Sequence, residues 1–207
     1  MTHPLESPVP QKTGRASAVV FDLDGTLTRP SLDFDAIRRE IGLPTEPRTP
    51  ILEALAGMPP QDRARAEDIL LNHEDKAAME STLQDDAAAV LETIRRHGIR
   101  TGLITRNSRR SVTIVLTRHN LCLDHVHTRE DGPFKPSPEP VLTTCRALGV
   151  APESAWVVGD YLFDVLSGKG AGATTVLMIG EAPRPPYADQ ADHVIRRLSD
   201  LLALLRI

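Results

Sequence analysis

One run of ten residues constrains this chain more than any other: Val19-Val20-Phe21-Asp22-Leu23-Asp24-Gly25-Thr26-Leu27-Thr28. Its opening, extended back to Ala18, is apolar and rich in β-branched side chains, which reads as a buried strand. It stops abruptly at two carboxylates, Asp22 and Asp24, followed by a glycine and two threonines. A buried strand that delivers acids at its C-terminal end puts charge where open α/β sheets carry their active sites. Two acids so close repel one another, and a divalent cation is a natural way to keep both ionised. An Asp-Gly pair can also begin a hairpin. The residues after this pair are Thr-Leu-Thr-Arg-Pro, with no alternating return strand, so the hairpin reading fails.

The rest of the chain divides by periodicity. Between residues 29 and 98 there is no strand signal. Leu32, Phe34, Ile37 and Ile41 mark a short amphipathic helix closed by Gly42, and residues 43–50, with three prolines, read as a loop. Thr49-Pro50 opens a second helix, Ile51 to Ala56, and Pro59-Pro60 a third that runs to about Ser81. From residue 85 onward helices and strands alternate, as in a doubly wound sheet: helices at Ala87–His97, Ser108–His119, Pro138–Leu148, Phe163–Gly168 and Leu198–Leu205, and strands at Arg100–Thr105, Leu123–His127, Ala155–Gly159, Thr174–Ile179 and His193–Ile195. Gly168-Lys169-Gly170-Ala171-Gly172 lacks the Gly-Lys-Ser/Thr order of a phosphate loop and is expected to be a tight turn. The organisation predicted is a flexible arm over 1–17, an α/β core formed by 18–28 and 86–207, and a helical insert, or cap, over 29–85. The fold class is α/β, a doubly wound and mostly parallel sheet.

Composition excludes several functions. At 207 residues with 41% hydrophobic content, the chain can bury an ordinary core. Its net charge of −4 argues against a general nucleic-acid binder, which carries a basic face. No apolar run approaches the length of a membrane span, and the first 16 residues lack the apolar centre of a secretory signal, so a cytoplasmic location is expected. Cys122 and Cys145 each sit in an apolar helical pattern and read as buried reduced thiols. His125 and His127 have no partner at metal-ligand spacing and read as structural.

Three more polar signals fall at or beyond the ends of predicted core strands: Thr105-Arg106-Asn107, Lys135 in a Pro-rich loop, and Gly159-Asp160-Tyr161-Leu162-Phe163-Asp164. Parallel strands end on one edge of a sheet, so these groups should meet Asp22 and Asp24 in one crevice. Taken singly, Lys135 could be a solvated surface lysine, Asp164 a helix cap, and Arg106 and Asn107 contributors through their amides at a helix start. Together they match phosphoryl transfer. A carboxylate can attack phosphorus, Mg²⁺ offsets the repulsion between two anions, a lysine and amides hold the equatorial oxygens, and a second carboxylate moves the proton.

These residues resemble the signature of the haloacid dehalogenase (HAD) superfamily. Phe21–Thr28 is similar to its first motif, Thr105 to the second, Lys135 within Lys-Pro-Ser-Pro-Glu-Pro to the third, and Gly159–Asp164 to the fourth, in order and at suitable spacing. The resemblance extends over nearly everything after residue 17, and the helical insert is similar to the cap of the phosphoglycolate-phosphatase-like branch. It implies a Rossmann-like core with Asp22 as nucleophile and metal ligand, and Asp24 as general acid/base whose backbone carbonyl also reaches the metal. Thr105, Arg106, Asn107, Lys135 and Gly25 would bind the phosphoryl group, Asp160 would ligate Mg²⁺, and Asp164 would orient Lys135 or a metal-bound water. Tyr161 departs from the small residue common at that place.

Within the superfamily, Asp24 favours phosphate-ester hydrolysis over dehalogenation. Lys76, the only lysine of the insert, lies in a charged stretch and reads as a solvated side chain rather than a Schiff-base former. Arg38, Arg39, Arg48, Arg63 and Arg65 are candidate contacts for a substrate anion. The expected activity is Mg²⁺-dependent hydrolysis of a small phosphate monoester, phosphoglycolate-like or a sugar or nucleotide monophosphate, through an aspartyl-phosphate. A phosphomutase of the same superfamily and a catalytically idle HAD-like binding protein are the alternatives.

Overall fold

The structure, a computed structural model, describes residues 16–207. Six strands form one sheet: β1 (Ala18–Phe21), β2 (Arg100–Ile104), β3 (His125–His127), β4 (Ala155–Gly159), β5 (Thr174–Met178) and β6 (His193–Ile195). Their order is β3-β2-β1-β4-β5-β6, and every pairing is parallel. β1 is central, paired to β2 and β4 in the same register, so that Phe21 lies beside both Leu103 and Val158. The order reverses at β1, the switch point at which such sheets open a crevice beyond their carboxyl ends.

The unbroken apolar run of β1 follows from burial on both faces. Successive side chains point to opposite sides. Val19 and Phe21 join a core with Val90 and Ile94 of α4 (Ala87–Arg96), Val112 and Val115 of α5 (Arg109–Arg118) and Leu201 of α8 (Asp200–Leu205). Ala18 and Val20 join a second core with Val141 and Cys145 of α6 (Glu139–Leu148). Val19, Val20 and Phe21 are fully buried, each stabilising the fold by roughly 1.5–3 kcal/mol. Such packing holds a rigid rod whose next residue is Asp22.

Three helices lie between β1 and α4: α1 (Phe34–Ile41), α2 (Ile51–Ala56) and α3 (Pro60–Glu80). α1 begins at Phe34, two residues later than the apolar pattern suggests, because the Asp33 side chain caps it by accepting from the amides of Asp35 and Ala36. Ile37, Ile51, Leu55, Ala66 and Leu70 give this insert a small core of its own. The chain leaves and re-enters the α/β unit side by side. Thr28 bridges Leu83, the Arg29 amide donates to Thr82 at 2.9 Å, and the Gln84 amide donates to Leu27 at 2.9 Å.

Several local expectations change. The arm expected over 1–17 lies, up to residue 15, outside the described residues. Ala16 is buried and Ser17 bonds to Ser154 and Arg100, so these two residues extend the line of β1. α7 (Leu162–Ala171) is longer than expected and absorbs Gly168 to Ala171 into its last turns, with Gly172 closing it in the left-handed conformation. The glycines there serve close packing, since a Cβ at Gly168 would stand 2.6 Å from the Thr175 side chain. Cys145 is buried, but Cys122 is exposed, in the connection after α5. His127 is buried, with Nε2 against the Pro133 carbonyl oxygen. No helix among the described residues is long and apolar enough to cross a membrane.

Candidate active site

Asp22 is placed by the end of β1, its amide donating to the Val158 carbonyl at 2.9 Å. Beyond it the chain folds back tightly, and the Leu23 carbonyl accepts from the amides of Leu27 and Thr28, each at 2.9 Å. Gly25 makes the turn possible on two counts. Its φ of +83° favours glycine, and a Cβ there would stand 2.1 Å from Asp160 Oδ2. Gly159, at the end of β4, plays the same part opposite Asp164, where a Cβ would fall 2.0 Å from the carboxyl carbon.

The four polar segments converge as parallel strand ends should. Lys135, on the connection after β3, donates from Nζ to Asp22 Oδ1 at 2.5 Å and to Asp164 Oδ1 at 2.6 Å. Asp164 also accepts the Tyr161 amide on Oδ2 at 3.1 Å, so it caps α7 and holds Lys135 at once. Burial would push the Lys135 ammonium down, but the Asp164 and Asp22 carboxylates outweigh it and hold the group above its ordinary value. Burial raises Asp22 well above the usual carboxylate range, with the Lys135 charge opposing and Asp164 and Asp160 adding repulsion. Burial and then Asp164 push Asp160 up to about 7.

Asp22, Asp160 and Asp164 bring carboxylate oxygens within 4.8 Å of one another. Three acids beside a single lysine leave an excess of negative charge, which an oxygen-loving divalent cation fits. The Asp24 carboxylate is not part of this cluster. Its Oδ2 accepts from Asn107 Nδ2 and its Oδ1 from Thr28 Oγ1 at 3.2 Å. Burial raises this acid too, against the hydrogen bonds from Asn107 and Thr28. A raised acid beside the cluster is suited to carry a proton.

Arg106 and Asn107, expected to serve through their amides more than their side chains, also bring their side chains into the site. Arg106 donates to the Lys135 carbonyl, pairs with Glu53 of α2 at 2.5 Å, and lies 4.6 Å and 4.8 Å from the ring centres of Phe134 and Phe163. Thr105 is buried. Its amide donates to the His127 carbonyl at 3.0 Å and its hydroxyl oxygen accepts the Asn107 amide at 3.1 Å, leaving the hydroxyl proton to donate elsewhere. Glu53 and Phe134 carry no motif, and Phe163, inside the fourth motif, is not marked there as a contact; only their meeting around Arg106 reveals them. The four acids, Thr105, Arg106, Asn107, Lys135 and Phe163 border a cleft of about 370 Å³ closed on its far side by α1 and α2.

This geometry has known counterparts. The chain matches the family described as haloacid dehalogenase-like hydrolase over residues 19–178. It belongs to that family. It is 31% identical, over 79% of its length and 71% of the relative's, to a haloacid dehalogenase-like hydrolase domain-containing protein of Arabidopsis thaliana. It is 29% identical, over 79% of its length and 82% of the relative's, to an N-acetylmuramic acid 6-phosphate phosphatase of Pseudomonas aeruginosa. A hydrolase from Pseudomonas syringae shares the fold, with a TM-score of 0.79 at 20% identity over 92% of this chain and 98% of that one. The chain is therefore a HAD-type enzyme with phosphatases among its relatives, and the family expected from the four motifs is the family found.

Proposed function

We propose that the chain hydrolyses a small phosphate monoester through an aspartyl-phosphate on Asp22. The observation that carries this reading is the arrangement of Lys135 between Asp22 and Asp164, with Asp160 completing the acid cluster and Asp24 held apart by Asn107 and Thr28. An Asp22 carboxylate oxygen bonds to phosphorus as the ester P–O bond breaks, and Asp24 gives its proton to the departing oxygen. A water then attacks the phosphorus and loses a proton to Asp24, inorganic phosphate departs, and Asp22 is restored. Lys135 and the Thr105 hydroxyl hold the phosphoryl oxygens, with Gly25 keeping the turn beneath them free of a side chain. Asp22 and Asp160, with the Asp24 carbonyl, are the residues that would hold Mg²⁺, whose charge would allow the dianionic ester to approach the acids.

Two features support a small substrate. The cleft is about 370 Å³, and the insert helices cover it with Phe34, Ile51 and Leu52. The P. aeruginosa relative is named for a sugar monophosphate, which agrees with a sugar, nucleotide or phosphoglycolate-like ester here. The test is release of inorganic phosphate from a panel of such esters with Mg²⁺ or with EDTA. Metal-dependent release that falls at least roughly 1,000-fold in Asp22→Asn is expected; undiminished turnover by that variant would rule out the covalent route. Transfer to a sugar hydroxyl instead of water would mark a mutase, and inertness towards every ester an idle binding protein.

A further inference from the structure

The cations around the cleft can be sorted by their partners. Lys135 is held by Asp22 and Asp164, Arg106 by Glu53, and Arg48 by Asp35 and Glu46. Arg38 differs from them. It stands on α1, lines the same cleft, and is only 5% exposed. Its hydrogen bond runs from Nη2 to the Thr49 carbonyl at 2.6 Å. Its Nε and Nη1 are buried without a partner, and no acid among the described residues pairs with it. Asp35, one turn earlier, gives Oδ2 to Arg48 and leaves Oδ1 unpartnered instead of turning it to Arg38.

A guanidinium cannot shed its charge by losing a proton, and an unpaired buried charge is among the most costly groups a fold can contain. Pro50, Ile51, Leu52 and Leu70 on the cleft lining are apolar, and Glu74, the acid that the insert adds to it, is taken up by Arg129 and the Ser108 amide. We propose that Arg38 is a specificity-determining residue that takes up a carboxylate on the leaving group of the phosphate ester. The proposal rests on the phosphatase reading and narrows it. One positive charge matches one carboxylate. A second phosphate, close to dianionic at neutral pH, would need another free cation, and the neighbouring Arg48 is already paired with two acids. The dry walls strengthen the pairing by lowering the local dielectric.

The test uses the full chain with Mg²⁺ and three matched esters: benzyl phosphate, 4-carboxybenzyl phosphate, and 1,4-benzenedimethanol bisphosphate. The wild type should favour the carboxylate over the plain ester by roughly 10- to 100-fold in kcat/KM, mostly through KM, as a charge-assisted bond would give. In Arg38→Gln that ratio should fall towards one, and Arg38→Lys should restore part of it. Equal kcat/KM for the two esters in the wild type, or an unchanged ratio in Arg38→Gln, overturns the proposal. Preference for the bisphosphate overturns the carboxylate assignment in favour of a second phosphate. Should no ester turn over, or Arg38→Gln fail to fold, wild-type thermal shifts still decide: 4-(hydroxymethyl)benzoate should raise the melting temperature where benzyl alcohol does not, and equal shifts overturn the proposal. Absence of turnover with that benzoate-specific shift would count against the phosphatase reading and leave the carboxylate site standing.

Discussion

Single residues show which atoms the site depends on. Gly25 and Gly149 both have positive φ, +83° and +69°, but their surroundings differ. A Cβ at Gly149 meets nothing within 4 Å, whereas one at Gly25 collides with the Asp160 carboxylate. Gly149→Ala should therefore cost about 1 kcal/mol, from backbone strain alone. Gly25→Ala should cost more in urea unfolding and displace Asp160, abolishing metal-dependent phosphate release. Asp160 itself sits among acids that repel it. Mg²⁺ should accordingly raise the melting temperature of the wild type by binding the native state, and Asp160→Asn should lose most of that rise. At this scale the motif spacing made Asp22, Asp24, Lys135 and Asp160 legible in the sequence. It missed Glu53 and the side-chain parts of Arg106 and Asn107, because nothing local marks a residue whose partner lies dozens of positions away.

At the scale of elements, the insert is fastened to the α/β unit chiefly along α3 and α5. Glu74 of α3 is buried, accepts the Ser108 amide at 3.1 Å at the start of α5, and pairs with Arg129. Burial raises the Glu74 carboxyl, with the Arg129 charge opposing. Asp75, the next residue, reaches Arg110 at 2.9 Å, but that arginine is largely exposed and the pair contributes little. Removing Arg129 leaves Glu74 buried and uncompensated, so Arg129→Met should destabilise the chain by about 3–5 kcal/mol. The double variant Glu74→Leu/Arg129→Met should recover much of that loss, and a double-mutant cycle in urea measures the coupling. The sequence marked the helices of this insert through prolines and periodicity. It could not mark the fastening, because Glu74 lies in a charged stretch that reads as a solvated face.

For the whole molecule, acid stability depends on a few carboxylates at loop junctions. Asp131 accepts from the amide and hydroxyl of Thr128, each at 2.8 Å, and pairs with Arg109. Burial would raise it, but these bonds hold it down to about 2 from an ordinary 3.8. Asp124 and Asp192 are lowered in the same way, opposing their burial, by bonds from Thr101 and Arg100 and from Lys169 and Thr175 respectively. A depressed folded value means that the ionised form is favoured by folding. The stability it contributes is present above about pH 4 and is lost as the pH falls from there through 2. Asp131→Asn should remove about 1 kcal/mol of that pH dependence, the exposed position reducing the full effect, as read from urea midpoints between pH 5 and pH 2.5.

The buried first strand, the acids at its end, and the alternation that builds a parallel sheet were readable from the sequence, because these are written in spacing and periodicity along a continuous segment. The full burial of Ala18–Phe21 and the parallel pairing of the six strands agree with that reading, while their order was not legible there. It took the folded chain to show that Lys135 stands between Asp22 and Asp164, that Asn107 holds Asp24, and that Arg38, one of the five candidate arginines of the insert, is the buried one lining the cleft without an acid partner. Charge pairing across a cleft depends on distances between segments far apart in the chain, and those distances exist only once the sheet and the insert have closed on one another.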